Sequence, residues 1–161
     1  MLRLHLLRHA KTEISSPTGE DFDRELMIKG IIQANMTGLF FQINGIEPKK
    51  ILCSSAKRTV QTLDIVRHSF PAAAVHLDTK LYLADRESLL EQIWKQKNGN
   101  DLLLIGHNEG ISNLASYLCG DDINLKTCAY VCVSFPFEYW NEISHGTGTI
   151  DLKYRPLAHF P

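Results

Sequence analysis

Residues 2–12 read LRLHLLRHAKT, an apolar run that ends in basic and polar residues. Four leucines among residues 2–7 leave little polar surface, which predicts a short strand buried within a sheet. The strand stops abruptly at Arg8 and His9, so these two side chains can project from the carboxyl edge of the sheet. We therefore expect the rest of the chain to form strands and helices that surround this strand.

Alternating helices and strands follow along the chain. Residues 14–25 are polar and are predicted to form a loop that crosses the surface, and a helix is predicted over residues 26–43. Residues 50–54 form a second apolar run, and residues 56–69 carry apolar side chains at helical spacing. This order of strand, turn and helix is typical of an α/β protein.

The same order continues through the middle of the chain. A brief strand around residues 75–77 precedes a helix at about residues 87–97, in which Trp94 is predicted to face the core. Residues 101–106, DLLLIG, give the strongest strand signal, and residues 108–119 follow as a helix. The alternation of strand and helix has then occurred three times, which favours a parallel sheet with helices on its faces.

After Cys128 the pattern changes to strands, which are predicted at residues 130–135, 140–144 and 149–154. We therefore predict an α/β fold, a three-layer α/β/α sandwich with a mostly parallel central sheet and antiparallel edge strands. No repeat or linker divides the sequence, so a single domain over residues 1–161 is expected.

Composition restricts the class of partner. The 17 Lys and Arg against 18 Asp and Glu give a net charge of -1, which disfavours nucleic acid and acidic membranes as partners. Any attraction for an anion must then be local. The apolar residues 1–7 are too short for a membrane span or a signal peptide, so we predict a cytoplasmic protein. The four cysteines contain no Cys-x-x-Cys pair and are predicted to be structural.

Three short motifs carry polar residues at predicted strand ends or on the helix directly after one. They are Arg8-His9-Ala10-Lys11-Thr12, Ser54-Ser55-Ala56-Lys57-Arg58-Thr59-Val60-Gln61-Thr62 and Gly106-His107-Asn108-Glu109. Open α/β sheets bind their ligands at the carboxyl ends of their strands. The motifs are therefore expected to meet in one site.

At these residues the sequence resembles the histidine phosphatase superfamily, and its length makes it similar to the short, SixA-like branch of phosphohistidine phosphatases. The superfamily carries an Arg-His-Gly/Ala signature after the first strand, a Ser-x-x-x-Arg-x-x-Gln-Thr helix and a later Gly-His. The resemblance covers nearly all of residues 1–154 and implies a phosphatase with a phosphoglycerate mutase-like fold. It also implies that His9 is the nucleophile that forms a phosphohistidine intermediate.

Elementary chemistry supports the same assignments. A phosphoryl group in transfer needs fixed positive donors around its oxygens and a nucleophile on its axis. Neutral imidazole suits the nucleophile because its ordinary pKa is about 6.5, so we assign His9 to this role. We predict Arg8 and Arg58 as planar forks on the phosphoryl oxygens and His107 as a further donor. The catalytic set is thus Arg8, His9, Arg58 and His107, and three residues are predicted to bind substrate: Thr12, Asn108 and Glu109. Thr12 could equally cap nearby backbone.

This sequence differs from the family at the position of the acid that protonates the leaving group. Relatives commonly carry Leu-Tyr-Glu after the third strand, whereas this sequence has Leu81-Tyr82-Leu83. Asp85 and Glu87 are the closest substitutes, although both also fit as caps of the following helix. Without an acid, phosphohistidine is the easier substrate, because its imidazole can leave protonated on its own ring near neutral pH.

Two alternatives to a protein phosphohistidine phosphatase remain open from the sequence. One is a general phosphomonoesterase acting on small phosphoesters or phosphoproteins, with Asp85 or Glu87 as the acid. The other is a phosphate-binding module without turnover, which the presence of a nucleophile disfavours. No His-Glu-x-x-His motif and no cluster of carboxylates with ligand spacing occurs, so we predict no metal and no cofactor. The expected partner is a phosphorylated protein or small phosphorylated substrate, with inorganic phosphate as product.

Overall fold

The structure, a computed structural model, describes residues 1–97 and 99–157. The last four residues of the predicted domain, 158–161, and Asn98 lie outside the described residues. Six strands form one sheet: β1 (Leu2–Arg8), β2 (Lys50–Ser54), β3 (Ala74–Asp78), β4 (Leu102–Gly106), β5 (Tyr130–Phe135) and β6 (Thr149–Tyr154). Their order across the sheet is β3-β2-β4-β1-β5-β6.

Strand direction follows the prediction. β1 pairs in parallel with β4, and β2 pairs in parallel with both β4 and β3. β5 runs antiparallel to β1, and β6 antiparallel to β5. The mostly parallel sheet with antiparallel strands at one edge is therefore confirmed.

Helices cover both faces of this sheet: α1 (Ile28–Ile43), α2 (Lys57–Val66), α3 (Arg86–Trp94) and α4 (Gly110–Cys119). Alternate residues of the central strands point to opposite faces, because the side chains of a strand alternate. Leu6 and Leu104 pack in one core with α3 and α4, whereas Leu7 and Leu103 pack in the other with α1 and α2. Each fully buried leucine contributes about 1.5–3 kcal/mol, and the two cores confirm the three-layer α/β/α sandwich.

Some element predictions are wrong. Residues 140–144 are not a strand, since the structure has a 3-10 turn at Trp140–Glu142. The Glu142 carboxylate accepts hydrogen bonds from the backbone N–H groups of Tyr139 (3.0 Å) and Glu138 (3.3 Å), and such local bonds compete with strand pairing. Trp94 does not face the core: the residue is 40% exposed, and its indole N–H donates to the Ile143 carbonyl at 2.9 Å.

Two helices begin later than predicted, and both differences affect the site. α1 begins at Ile28 because Leu26 pairs with Thr12 in an isolated antiparallel bridge. α4 begins at Gly110 and not at Asn108. Within residues 1–97 and 99–157, no helix combines the length and the apolar character that crossing a bilayer requires.

Candidate active site

Three neighbouring strands bring the three motifs to one edge of the sheet. β1 ends at Arg8, β2 at Ser54 and β4 at Gly106, and these strands are adjacent and parallel. A cavity of about 580 Å³ opens at this edge, and its lining includes all four predicted catalytic residues, Arg8, His9, Arg58 and His107. The ring centroids of His9 and His107 are 5.3 Å apart. One phosphoryl group is small enough to be held between these side chains.

The buried His9 ring has a defined protonation pattern. Its Nδ1 lies 2.8 Å from the Ala10 carbonyl oxygen, and a carbonyl only accepts, so Nδ1 carries the proton and donates. Burial lowers the pKa of His9 to about 3, and the nearby charges of Arg58 and Arg8 add to this effect although the bond to Ala10 opposes it. The ring is therefore neutral near pH 7, with a free lone pair on Nε2.

His107 is held by a hydroxyl from the neighbouring strand. Its Nε2 lies 2.8 Å from Ser54 Oγ, which also accepts the backbone N–H of Ala56 at 3.3 Å. The Ser54 hydroxyl can donate its own proton to Nε2, and in that tautomer Nδ1 of His107 carries the N–H. Burial lowers the pKa of His107 to about 3, with smaller contributions from His9 and Arg58.

Arg8 and Arg58 each have an N–H donor that makes no hydrogen bond to another protein group. Arg8 donates from Nη1 to the Leu125 carbonyl at 3.1 Å. Across the described part of the chain, three buried side-chain polar atoms have no hydrogen-bond partner: Arg8 Nε, Arg58 Nε and His107 Nδ1. All three belong to residues of this one cavity. Buried donors without partners are costly, and an oxyanion in the cavity could satisfy them.

The predicted substrate-binding residues are not equally placed. Thr12 and Asn108 line the cavity, but Thr12 Oγ1 accepts from Arg24 Nη2 at 2.5 Å, and the Asn108 amide donates to the Leu125 carbonyl at 3.1 Å. Glu109 is exposed and is not among the lining residues. The expectation that α4 would begin at Asn108 is wrong, since the helix begins at Gly110 with Glu109 as its N-cap, and phosphate binding by the N–H groups of residues 108 and 109 stays a prediction.

The predicted acids lie elsewhere. Asp85 caps α3 by accepting the Ser88 backbone N–H at 2.9 Å, and hydrogen bonding by the side chain and then the backbone N–H of Ser88 lowers the pKa of Asp85. Glu87 accepts from Arg86 Nε at 3.0 Å. Both carboxylates line a different cavity, which also contains Tyr117 and His145, and neither is among the residues that line the His9 cavity. Leu83, which the sequence resemblance sets at the position of the family's Glu, does line the His9 cavity.

Sequence reasoning missed three residues of the site. Asp21 and Arg24 come from the loop predicted to cross the surface, yet both line the cavity. Tyr82 packs beside them, with its ring centroid 5.5 Å from that of His107. The sequence feature that could have indicated Asp21 and Arg24 is their spacing, Asp21-x-x-Arg24, in the polar loop that follows the first strand.

Charge in the cavity is locally positive although the chain carries a net charge of -1. Four cations and two carboxylates line it: Arg8, Lys11, Arg24, Arg58, Glu13 and Asp21. Among the described residues, no three His, Cys, Asp or Glu side chains are grouped closely enough to hold a metal ion.

Comparisons with known proteins agree with this architecture. The family model of the histidine phosphatase superfamily (branch 1) matches residues 4–82. The uncharacterized Mycobacterium leprae protein ML1117 is 31% identical over 136 residues, which cover 81% of each chain. A putative phosphohistidine phosphatase SixA from Agrobacterium tumefaciens has a TM-score of 0.85 at 23% identity, covering 96% of this chain and 98% of that one. The protein histidine phosphatase SixA in complex with tungstate has a TM-score of 0.81 at 18% identity, with 96% and 97% covered. The family match, together with three motifs gathered at one sheet edge, leads to the conclusion that this chain belongs to the histidine phosphatase superfamily.

Proposed function

We propose that this chain is a metal-independent phosphatase that passes a phosphoryl group through Nε2 of His9 to water, and that its preferred substrate is phosphohistidine on a protein. Membership of the superfamily and the fold shared with SixA support phosphatase activity. The observation that carries the proposal is the bond from His9 Nδ1–H to the Ala10 carbonyl, because it leaves the Nε2 lone pair as the nucleophile.

The reaction has two steps. The Nε2 lone pair forms a bond to phosphorus while the bond to the leaving group breaks, and the leaving atom takes that electron pair. The phosphorylated ring is cationic, and its Nδ1–H bond to Ala10 stabilises this charge. A water molecule then attacks phosphorus, and the N–P bond breaks with its electron pair returning to Nε2. The protons of this water stay on the inorganic phosphate or pass to solvent, and His9 is left as neutral imidazole.

The three buried donors without partners are suited to the equatorial oxygens. Arg8 Nε, Arg58 Nε and His107 Nδ1 would each donate to an oxygen whose negative charge grows in the transition state. Losing one such donor typically costs about 100- to 1,000-fold in rate. The similar SixA structure was solved with tungstate, an oxyanion of the same general shape as phosphate.

Leaving-group chemistry supports phosphohistidine as the substrate. Asp21 lines the cavity, but the Tyr82 hydroxyl together with Arg24 and Arg58 holds the pKa of this carboxyl well below its usual range, so it is ionised and cannot donate a proton. Burial and Asp21 raise the pKa of Tyr82, which makes its hydroxyl a weak acid. An imidazole leaving group carries its own proton near neutral pH and needs neither residue.

One observation favours a general phosphomonoesterase as a second candidate. Glu13 is exposed and lines the His9 cavity, so its carboxyl group could protonate the alkoxide that leaves a small phosphoester. In that case Glu13→Gln would remove alkyl phosphatase activity and leave phosphohistidine hydrolysis nearly unchanged.

The first prediction tests the covalent route. The enzyme is mixed with a labelled phosphodonor and quenched at alkaline pH, and the acid-labile phosphoryl group is mapped by mass spectrometry. We expect the label on His9, and His9→Ala should lower turnover by at least about 1,000-fold while phosphate affinity stays within a few-fold, because both guanidinium groups remain. The matched control is His145→Ala, which removes a histidine of the other cavity and should change neither quantity. Near-normal turnover in His9→Ala would exclude this route, and loss of activity on EDTA treatment that a divalent ion restores would favour a metal-dependent hydrolase.

A further inference from the structure

Arg58 is held on one side by an acidic residue from a distant part of the chain. Its Nη1 donates to the Asp21 backbone carbonyl at 2.8 Å, and its Nη2 donates to Asp21 Oδ2 at 3.0 Å. Its Nε is the atom that protein groups leave without a partner. A guanidinium group has five N–H donors in one plane. The outer edge of Arg58 is thus engaged by Asp21, and the edge that contains Nε is left for another acceptor.

The Asp21 carboxylate joins two arginines and a phenol. Besides Arg58, it accepts from Arg24 Nη1 at 3.0 Å through Oδ1 and from the Tyr82 hydroxyl through Oδ2. Arg24 in turn donates to Thr12 Oγ1 at 2.5 Å. Asp21 lies on the 3-10 turn Asp21–Asp23, Arg58 on α2 and Tyr82 on the segment after β3. The Asp21 carboxylate therefore connects three parts of the chain beside the cavity.

We propose that Asp21 is a positioning residue, which acts through Arg58 and Arg24 by fixing the guanidinium edges that face a phosphoryl group on His9. This inference rests on the proposed function and extends it to residues outside the three motifs. Arg58 is only 3% exposed, so it needs a counter-charge when no anion is bound. A fixed orientation matters because a displacement of about 1 Å can lower a rate by roughly 100-fold.

A competing role for Asp21 makes the opposite prediction. A carboxylate in an anion site also repels phosphate, and it could merely occupy the place of the substrate on Arg58. Removing its charge would then tighten substrate binding and leave the chemical step unharmed or faster. Positioning predicts instead that kcat falls, because the lost interaction matters most when charge develops on the transferring group.

The second prediction is therefore a comparison of Asp21→Asn with wild type. We expect kcat to fall about 10- to 100-fold, which is the usual cost of losing a supporting hydrogen bond behind a site residue. The inhibition constant of inorganic phosphate should stay within about threefold or decrease, since one negative charge is gone. The inhibition constant of vanadate, which adopts the five-coordinate geometry of the transition state, should rise at least about tenfold.

Two further variants make the test specific. Tyr82→Phe removes only the hydroxyl that donates to Asp21, so it should change kcat and vanadate inhibition in the same direction by a smaller factor and remains informative if Asp21→Asn folds poorly. Asp23→Asn is the matched control, because Asp23 lies on the same turn and its Oδ2 accepts from Thr18 Oγ1 at 2.5 Å, away from both arginines. It should leave kcat and both inhibition constants unchanged.

The outcomes separate this inference from the proposed function. Labelling of His9 in the wild type decides the covalent route, whereas the ratio of variant to wild-type kcat decides the role of Asp21. If wild type is labelled on His9 and Asp21→Asn has equal or higher kcat with lower KM, Asp21 is an occupant of the anion site and the positioning role is overturned. Equal losses in Asp21→Asn and Asp23→Asn would overturn it as well, because the effect would then belong to the turn and not to the arginine contacts.

Discussion

Leu83 adopts a backbone conformation that is uncommon for leucine, with φ at 49°, and the residue is 55% exposed and lines the cavity that holds His9. The left-handed region is strained for a leucine and nearly as strained for other residues with a Cβ. A replacement by another side chain that is not branched at Cβ therefore adds little new backbone strain. The position is thus suitable for testing what a carboxyl group would do in this site.

The third prediction is that Leu83→Glu raises turnover of alkyl phosphates by about 100-fold or more and that of phosphohistidine by much less, because a positioned acid contributes roughly 100- to 10,000-fold when the leaving group is a poor one. Aryl phosphates, which have better leaving groups, should fall between. The measurement is kcat/KM on all three substrates in wild type and variant.

Leu83→Gln is the matched control for this prediction, since it has the size of glutamate without an acidic proton, and it should not accelerate alkyl ester hydrolysis. If the wild type already hydrolyses alkyl phosphates as fast as phosphohistidine, and Glu13→Gln removes that activity, Glu13 is the acid and the general phosphomonoesterase is the correct function. Each of these two results depends on one carboxyl group, at residue 83 or at residue 13, and therefore shows which residue donates the proton.

Helix α1 bears directly on the loop that follows His9. A Cβ atom added at Gly30 would lie 2.0 Å from the Lys11 backbone oxygen, which already accepts the N–H of Met27 at 3.1 Å. The helix can approach so closely only because residue 30 has no side chain. The first turn of α1 therefore fixes the backbone of residues 10–12, which lie beside the nucleophile.

The fourth prediction compares two glycines of this helix. Gly30→Ala should destabilise the protein by about 1–3 kcal/mol through overpacking against backbone, and it should lower kcat/KM because the loop after His9 must shift. Gly38→Ala is the control, since its nearest neighbours would lie 3.6 Å from the added Cβ, and helix propensity should make it neutral or stabilising by up to about 1 kcal/mol. Urea denaturation and steady-state kinetics measure both effects. Equal stability changes in the two variants would show that the approach to Lys11 is not a constraint.

The whole molecule carries two buried neutral histidines at one edge of its sheet, and this makes its stability depend on pH. The pKa of His9 is lowered to about 3 in the folded protein, mainly by burial, and that of His107 likewise. The unfolded chain, with an ordinary histidine pKa of about 6.5, binds more protons between pH 6.5 and pH 3. The contribution of each histidine to stability is therefore fully present above pH 6.5 and is lost as the pH falls.

The fifth prediction follows from this linkage. Between pH 7 and pH 5, in buffers without phosphate, His9 should account for a loss of about 2 kcal/mol in the free energy of unfolding. His9→Asn should reduce the loss by about this amount, whatever its stability at pH 7. The measurement is urea denaturation at several pH values, and the comparison uses the pH slopes of the two proteins. Parallel slopes would show that the buried state of His9 does not resist protonation.

Strand periodicity and the motif residues could be predicted from the sequence because they depend on local patterns. The leucines of β1 and β4 predict buried strands whatever surrounds them, and the order of strands and helices along the chain limits the fold to a three-layer sandwich. Arg8, His9 and His107 directly follow or end such strands, and Arg58 lies on a helix after another. Their placement at one edge follows from the parallel direction of neighbouring strands.

The residues that support this catalytic set could be identified only from the folded arrangement. Asp21 and Arg24 lie in a loop without periodicity, and their contacts with Arg58 and Thr12 join residues that no local pattern relates. The same applies to Asp85, whose sequence position resembles that of an acid but whose carboxylate caps α3 in another cavity. Periodicity reports burial along one element, whereas a side chain's partner depends on which elements pack together. The layers of the fold and the motif of the nucleophile could therefore be predicted from local patterns, whereas the charged residues that support the site depend on the packing of distant elements.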